Sequence, residues 1–462
     1  MTYFLAKSAS LSSAIYGKIK LVYYAISPIM RICEVTDMKL LIKNGRVIDP
    51  ATKTDAVSDV LVEDGKIVKV DKSIQEKADK TIDAKGCFVM PGFIDLHVHL
   101  RDPGFEHKET VATGAKAAAR GGFTTILAMP NTKPAADNVD VVNYVHQKAK
   151  NLAPVNVLQI GAVTKGQNGK ELSDIHGMVE AGIPAISEDG KSVMDTAVYY
   201  KAMQIAKKEN IPVFAHCEDK DLVQGGVMNA GKRAEELGLP GIANVVEDVI
   251  TARDIVLADS AGVHLHLCHC STRKSVWMVK HAKEDHLHVT AEACPHHFTL
   301  SEEDIKEDDP DYKMNPPLRS TEDVEAIREG LKNNVIDVIA TDHAPHTAIE
   351  KGDSMRKAPF GIVGLETAAA LTYSELVLKG YLTPMQMAEK LSYNPAQIIH
   401  SDKGTLKEGA IADIVIFDPE KQYVIDAEKF AGKSKNTPFD GREVTGEVKA
   451  TIVSGEIVYS AE

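Results

Sequence analysis

His97 and His99 stand two apart in the stretch Pro91-Gly92-Phe93-Ile94-Asp95-Leu96-His97-Val98-His99-Leu100-Arg101-Asp102. Apolar Cys87-Phe88-Val89-Met90 leads into it, the pattern of a buried strand entering a polar loop. Residues two apart on a strand share a face, so both imidazoles point one way. Arg101 continues the alternation and adds a fixed cation. Two imidazoles on one face suit a divalent metal ion. The chain has 17 histidines, so a lone His-x-His carries little weight. Four further candidate ligands give it weight, because each follows an apolar run: Asp189, His216, His269 and Asp342.

Elements that could position these residues follow a regular order. Apolar runs at 93–97, 124–129, 156–162, 183–186, 213–216, 263–268, 289–293 and 335–340 give eight strand candidates. Helical patterns at 110–120, 139–150, 196–208, 245–258 and 321–332 separate most of them. Such alternation predicts an α/β chain of parallel βα units. Eight units close naturally into a (β/α)8 TIM barrel, with its active site at the C-terminal strand ends. His97, His99, Arg101, Asn131, Asp189, His216, His269 and Asp342 then converge. For Asn131 alone, a turn role is the simpler reading. Short alternating runs also occupy 38–84 and recur at 414–417, 448–453 and 456–458, so a small β domain is expected to form from the two chain ends. The predicted domains are an extension at 1–37, a composite β domain of 38–90 with 401–462, and a barrel over 91–400.

Composition narrows the function classes. The 462 residues are 44% hydrophobic and 26% charged, enough for a large barrel and a smaller domain. A net charge of -13 argues against nucleic-acid binding, though a local arginine can still hold a small anion. The six cysteines have no zinc-finger spacing, which suits a reducing, cytoplasmic setting. The first residues carry Lys7, Lys18, Lys20 and Arg31 with no acid before Glu34. A targeting segment would look like this, but a disordered tail or a mis-assigned start is the preferred reading. Met38 opens the first β run, so the extension is expected to be dispensable. The run at 21–30 is too short, and too broken by Pro28, to span a bilayer.

Six ligands exceed the three or four that one zinc ion needs. Two ions sharing an anionic bridge is the economical arrangement. His97, His99 and Asp342 would hold one, and His216 and His269 the other. Ser187-Glu188-Asp189-Gly190 offers the bridge, with Asp189 preferred and a carbamylated Lys191 as competitor. His264 and His266 are expected to pack between strand and helices, on the face opposite Leu265, Leu267 and His269. His296 and His297 read as structural, and Cys268 and Cys270 as small buried residues.

The joint motifs carry a resemblance. Residues 91–101 resemble the signature of the amidohydrolase superfamily, and of dihydroorotases within it. Ala340-Thr341-Asp342-His343-Ala344-Pro345-His346 is similar to the second dihydroorotase signature, and Asn315-Pro316-Pro317-Leu318-Arg319 and Ala358-Pro359-Phe360-Gly361 fit the same family. The fourth run resembles the bacterial class I enzymes, which bridge their metals with an aspartate where hydantoinases and allantoinases use a carboxylated lysine. Those enzymes usually have two aspartates before the glycine, whereas this chain has Glu188-Asp189-Gly190.

The resemblance implies a barrel holding two zinc ions, with His97, His99, Asp189, His216, His269 and Asp342 as ligands and with Asp189 and a hydroxide as bridges. It implies that Arg101, Asn131 and Asn315 hold a substrate carboxylate, with His99 beside the substrate. His346 and the backbone at Phe360 and Gly361 would contact its ring. The implied activity is the reversible interconversion of N-carbamoyl-L-aspartate and (S)-dihydroorotate in pyrimidine biosynthesis. A metal-bound hydroxide attacks the cyclic amide, and Asp342 serves as base and then acid. The rival readings are an allantoinase or hydantoinase, and a non-catalytic subunit of an aspartate transcarbamoylase complex. A homodimer and an association with that transcarbamoylase stay open. The polar segment 345–359 reads as a lid or a plain connection.

Overall fold

The structure, a computed structural model, describes residues 39–461. The expectations for the extension at 1–37 and for the start at Met38 lie outside the described residues. Both ends of the described chain enter one eight-stranded sheet. Its strands are β1 (Leu40–Asp49), β2 (Thr54–Glu63), β3 (Lys66–Asp71), β4 (Lys80–Asp83), β5 (Phe88–Pro91), β17 (Ile414–Val424), β18 (Glu443–Val453) and β19 (Glu456–Ser460). The order is β19-β18-β17-β5-β1-β2-β3, with β4 pairing β1. Two hairpins are explained by their turns. Asp64-Gly65 joins β2 to β3 with φ of 52° and 73°, and Ser454-Gly455 joins β18 to β19 with 48° and 81°. Positive φ at both central residues matches the strand twist.

Residues 88–91 depart from expectation. They are not the lead-in of the histidine strand but β5, which runs antiparallel to β17 and parallel to β1. The chain then leaves this sheet at Gly92, where a Cβ would lie 2.2 Å from Thr124.

The rest is α/β. β6 (Phe93–Val98), β7 (Phe123–Ala128) and β8 (Asn156–Gln159) form a parallel sheet. β9 (Gly161–Ala162), β10 (Ile186–Ser187), β11 (Val213–Ala215), β14 (Leu265–Leu267), β15 (Val289–Ala293) and β16 (Val338–Ile339) form another. β8 and β9 are two halves of the expected run 156–162, linked by the Ile160 N–H to the Ala128 carbonyl at 2.9 Å. β16 runs on towards β6, where Val98 and His343 form a parallel bridge and the His99 N–H donates to the His343 carbonyl at 2.8 Å. β10 is shorter than the run 183–186 because Pro184 has no N–H for the ladder. An unforeseen insertion at 220–242 carries two short helices and the parallel pair β12 (Met228–Asn229) and β13 (Gly241–Ile242).

Helices between the strands start on strong caps. Thr110, Asn138, Asp195, Thr272 and Ser320 accept first-turn N–H groups of the helices Val111–Arg120, Val139–Leu152, Thr196–Lys208, Arg273–Glu284 and Thr321–Lys332. Alternation then divides each strand. Ile126, Val213, Leu265, Leu267 and Ala291 join the core towards the helices. Leu127, Phe214, Cys268 and Val338 join a second core on the inner side.

This division corrects the placement of two histidines. His266 is on the inner side, packed against Phe214 with ring centroids 4.7 Å apart and the rings tilted by 49°. His264 and His266 both reach the Thr290 hydroxyl, at 2.8 and 2.9 Å. It is Leu265 and Leu267 that face the helices. His269 leaves that parity because its φ is 33°, which turns its side chain inward.

Asp95 ties the first strand to the last. It accepts the Thr341 hydroxyl at 2.6 Å and the Thr341 and His97 N–H groups at 3.1 Å each. Burial pushes its carboxyl up to about 7, so each of these bonds is needed. Thr341→Val removes one buried partner. The expected loss is about 1–3 kcal/mol, read as a lower thermal midpoint. A variant as stable as the parent would show that this pairing does not hold the strands together.

Candidate active site

Six side chains meet at the ends of the inner strands. His97 arrives through an irregularity: the β6–β7 register shifts between Asp95 and Val98. Leu96 keeps its place in the inner core while His97 turns into the site. Its Nε2 lies 3.2 Å from Asp189 Oδ1 and 3.5 Å from Asp342 Oδ1. His99 Nε2 lies 3.4 Å from Asp189 Oδ2 and 3.1 Å from Asp342 Oδ1. His216 Nδ1 and His269 Nε2 are 2.9 Å apart and 3.5 and 3.6 Å from Asp189 Oδ1. The Asp189 carboxylate therefore has His97, His216 and His269 around one oxygen and His99 beside the other.

These contacts fit a cation. Donor atoms that share a tetrahedral ion at about 2.0 Å sit about 3.3 Å from one another. His97 Nε2 and Asp189 Oδ1 are buried and complete no hydrogen bond among the described residues, a costly state unless an ion is shared. His97, His99 and Asp342 form one group able to hold a metal, and His97, Asp189 and His269 another. Cys268 with His97 and Glu292, and Cys294 with His296 and His297, are also grouped. Burial pushes both thiols well up, so they are poor donors in this state.

Burial opposes charge on Asp189, but the His97, His216 and His269 imidazoles around it hold its carboxyl well below the usual range. Asp342 falls to about 2: burial opposes, and the neighbouring His99 and His97 imidazoles prevail. Glu188 points elsewhere, accepting the Thr164 N–H at 3.0 Å and the Thr164 hydroxyl. Lys191 is exposed, and its Nζ donates to the Gln167 carbonyl at 2.9 Å.

A layer behind these residues fixes tautomers. Glu292, missed in the sequence reading, sits 2.7 Å from His97 Nδ1 and 3.0 Å from His266 Nε2, and it accepts the His269 N–H at 3.2 Å. Alternation in Val289-Thr290-Ala291-Glu292-Ala293 was the available signal, with its polar residues on the inner parity. Asn131 Oδ1 stands 2.8 Å from His99 Nδ1. That N–H must donate to it, which leaves Nε2 free for a cation and turns the amide N–H groups towards the opening.

The sequence-predicted residues other than His97 line one cavity of about 280 Å³. Arg101 enters it with φ of 61° and donates from Nε to the Pro345 carbonyl at 3.2 Å. His346 is neutral: burial, then Arg101 and Lys108, push it down to about 2. Lys108 stands 3.3 Å from its Nδ1 and the Phe360 carbonyl 2.9 Å from its Nε2, so the proton sits on Nε2. The Arg101 Nη2 contact with that Nε2, at 3.3 Å, then joins two donors. This leaves the guanidinium prongs to an anion.

The backbone at 360–361 is held from behind. The Gly361 N–H donates to the Lys313 carbonyl at 3.0 Å. Buried Lys351 donates to the Gly361 carbonyl, also at 3.0 Å. Arg319 staples the loop after Asn315 to the insertion, through the Asn229 side chain and the Ile242 carbonyl at 3.0 Å each.

A family described as Dihydro-orotase-like matches residues 86–275. A dihydroorotase of Clostridioides difficile is 49% identical over 423 residues, covering 91% of this chain and all of that protein. One from Pelotomaculum thermopropionicum is 49% identical over 422 residues, covering 91% and 98%. The chain belongs to the dihydroorotase family. Among solved structures, an L-hydantoinase (dihydropyrimidinase) from Arthrobacter aurescens superposes with a TM-score of 0.83 at 27% identity, covering 92% and 96%. A dihydropyrimidinase from Brevibacillus agri gives 0.80 at 26%, covering 92% and 95%. Members of this wider amidohydrolase group are metal-dependent, in accord with the donor set around Asp189.

Glu292→Gln keeps the shape but replaces one acceptor with a donor facing an N–H. Metal retention during dialysis against a chelator is expected to fall about 10–100-fold with the fold intact. Unchanged retention would remove Glu292 from the support of the ligands.

Proposed function

We propose that this chain catalyses the reversible hydrolysis of dihydroorotate to N-carbamoyl-aspartate. One observation carries the reading: a metal-ready carboxylate–imidazole cluster lines one small cavity together with an arginine and two amides. The fold in this reading is a closed (β/α)8 barrel over 91–400, joined to a composite β domain of 38–90 and 401–462. The His343 contacts with Val98 and His99 support the closure.

His97, His99 and Asp342 would hold one zinc ion and His216 and His269 a second, with Asp189 in reach of both groups. When bound, these ions supply Lewis acidity towards the ring carbonyl and the attacking water. The remaining work falls to side chains. Asp342, already ionised, takes the proton from the attacking water and returns it to the departing ring nitrogen. Arg101 grips the substrate carboxylate with a planar fork. Asn131 and Asn315 add N–H donors with no titrating charge. Neutral His346 and the braced backbone at Phe360 and Gly361 bound the ring.

Asp189 rather than Lys191 would serve as the shared anion, because the lysine is exposed and turned towards Gln167. The retained donor set weighs against a non-catalytic subunit. Hydantoins and allantoin lack a carboxylate at the matching position, so Arg101 weighs against those substrates. Cytoplasmic placement, a homodimer and docking of aspartate transcarbamoylase rest on family likeness. No helix among the described residues is long and apolar enough to cross a membrane.

Arg101→Lys keeps the charge and loses the fork. Most of kcat/KM for dihydroorotate is expected to disappear, about 100-fold, with metal content unchanged. Normal turnover of dihydroorotate by this variant would argue for a substrate without that carboxylate.

The pH dependence follows from proton balance. Opening turns a monoanion into a dianion and releases a proton, so the equilibrium moves towards the open form by about tenfold per pH unit. Asp342, near 2, is ionised throughout ordinary pH and sets neither limb. Initial rates of opening should rise with pH and those of closure should fall. Asp342→Asn should abolish both. Parallel profiles, or an active Asp342→Asn enzyme, would sink this mechanism.

A further inference from the structure

Glu218 has no role in the reaction as derived so far, yet it lines the cavity between its two working walls. Its Oε1 accepts from Asn315 Nδ2 at 2.9 Å, and its Oε2 lies 3.4 Å from His216 Nε2. The segment that carries it is fixed. Ser192 Oγ donates to the His216 carbonyl at 2.6 Å and accepts the Glu218 N–H at 3.0 Å. Lys220 Nζ donates to the Ser192 carbonyl at 2.8 Å. Glu218 is therefore held at its backbone and satisfied at both oxygens.

Those two contacts settle two orientations that packing alone would leave free. His216 meets Asp189 and His269 through Nδ1. An imidazole that offers the Nδ1 lone pair must carry its proton on Nε2. An ionised carboxylate only accepts, so Glu218 favours that tautomer. The Asn315 amide can flip by exchanging its oxygen and nitrogen. Binding one of its N–H groups to Glu218 holds the nitrogen side in place and leaves the second N–H for an anion.

We propose that Glu218 is a positioning residue that sets the His216 tautomer and the Asn315 amide orientation together, coupling metal capture to recognition of the substrate carboxylate. The inference rests on the reading of His216 as a ligand and Asn315 as a carboxylate donor.

Glu218→Gln tests it with little change of shape. A glutamine has one acceptor and one donor group, so it can serve His216 or Asn315 in the present arrangement, but not both. Zinc retention against a chelating indicator is expected to fall about tenfold or more. KM for dihydroorotate should rise, while kcat at saturating zinc and substrate changes less.

The double variant Glu218→Gln with Asn315→Asp separates coupling from damage. The new carboxylate accepts the glutamine N–H groups, which frees the glutamine oxygen for His216. Zinc retention should return towards the parent while KM stays high, because the added charge repels the substrate carboxylate. Parent-like retention and KM in Glu218→Gln would overturn the proposal, and so would a double variant that regains no zinc. His216→Ala and Asn315→Ala are the controls. Parent-like zinc retention in the first, or parent-like KM in the second, would instead overturn the underlying assignment of the site.

Discussion

The structure depends on the Asp189 carboxylate and the ring of imidazoles around it. Four histidines and two aspartates sit together, all buried, and atoms such as His97 Nε2 and Asp189 Oδ1 have no hydrogen-bond partner among the described residues. Left alone, such a cluster costs stability, because buried polar groups need partners. A divalent cation would supply the missing partner to several of them at once. This explains why so much of the surrounding design concerns orientation. Each imidazole must present a lone pair inward, so each needs an acceptor on its other nitrogen. Glu292 serves His97, Asn131 serves His99 and Glu218 stands at His216.

The backbone contributes strain at the same place. Arg101, His269 and Asp342 have φ of 61°, 33° and 49°, a region that non-glycine residues seldom occupy. Such residues cost about 1–3 kcal/mol each unless their surroundings over-determine them. Here the surroundings do so. Asp342 follows Thr341, which is bound to Asp95. His269 has its N–H on Glu292. Arg101 has its Nε on Pro345. Stability from the strand ladders is thus used to aim three side chains at one small volume.

This pattern also shows what could be read in advance. The apolar runs and the residues that end them were legible, because a strand that is buried on both faces leaves a continuous apolar signature. The directions of side chains were less so. Strict alternation puts His269 on the Leu265 and Leu267 face and expels His264 and His266 from the inner side, and the positive φ at His269 reverses that inference. The register shift in β6 likewise escapes a period-two rule. Phe88–Pro91 looked like the start of the histidine strand because an apolar run carries no mark of which sheet it joins. The insertion at 220–242 has no strong period at all. Glu292 was visible in principle, but one acid in a buried strand gains meaning only once His97 and His266 are placed beside it.

Fold and cluster cannot by themselves choose the substrate. The hydantoinase from Arthrobacter aurescens shares the architecture at a TM-score of 0.83 with only 27% identity, so the scaffold admits more than one cyclic amide. Selection has to come from groups that contact what differs among those amides. The carboxylate of dihydroorotate is that difference, and in the proposed function Arg101, Asn131 and Asn315, which line the cavity, would receive it. Arg101 keeps its prongs free because His346 is neutral and spends its one proton on Phe360. Lys108 enforces that state by standing at the other ring nitrogen. A protonated His346 would set a second cation against Lys108, and a His346 with the opposite tautomer would take an Arg101 hydrogen for itself. In the proposed function, substrate choice therefore traces to a proton position on a histidine that belongs to no ligand set, held there by a lysine and a backbone carbonyl.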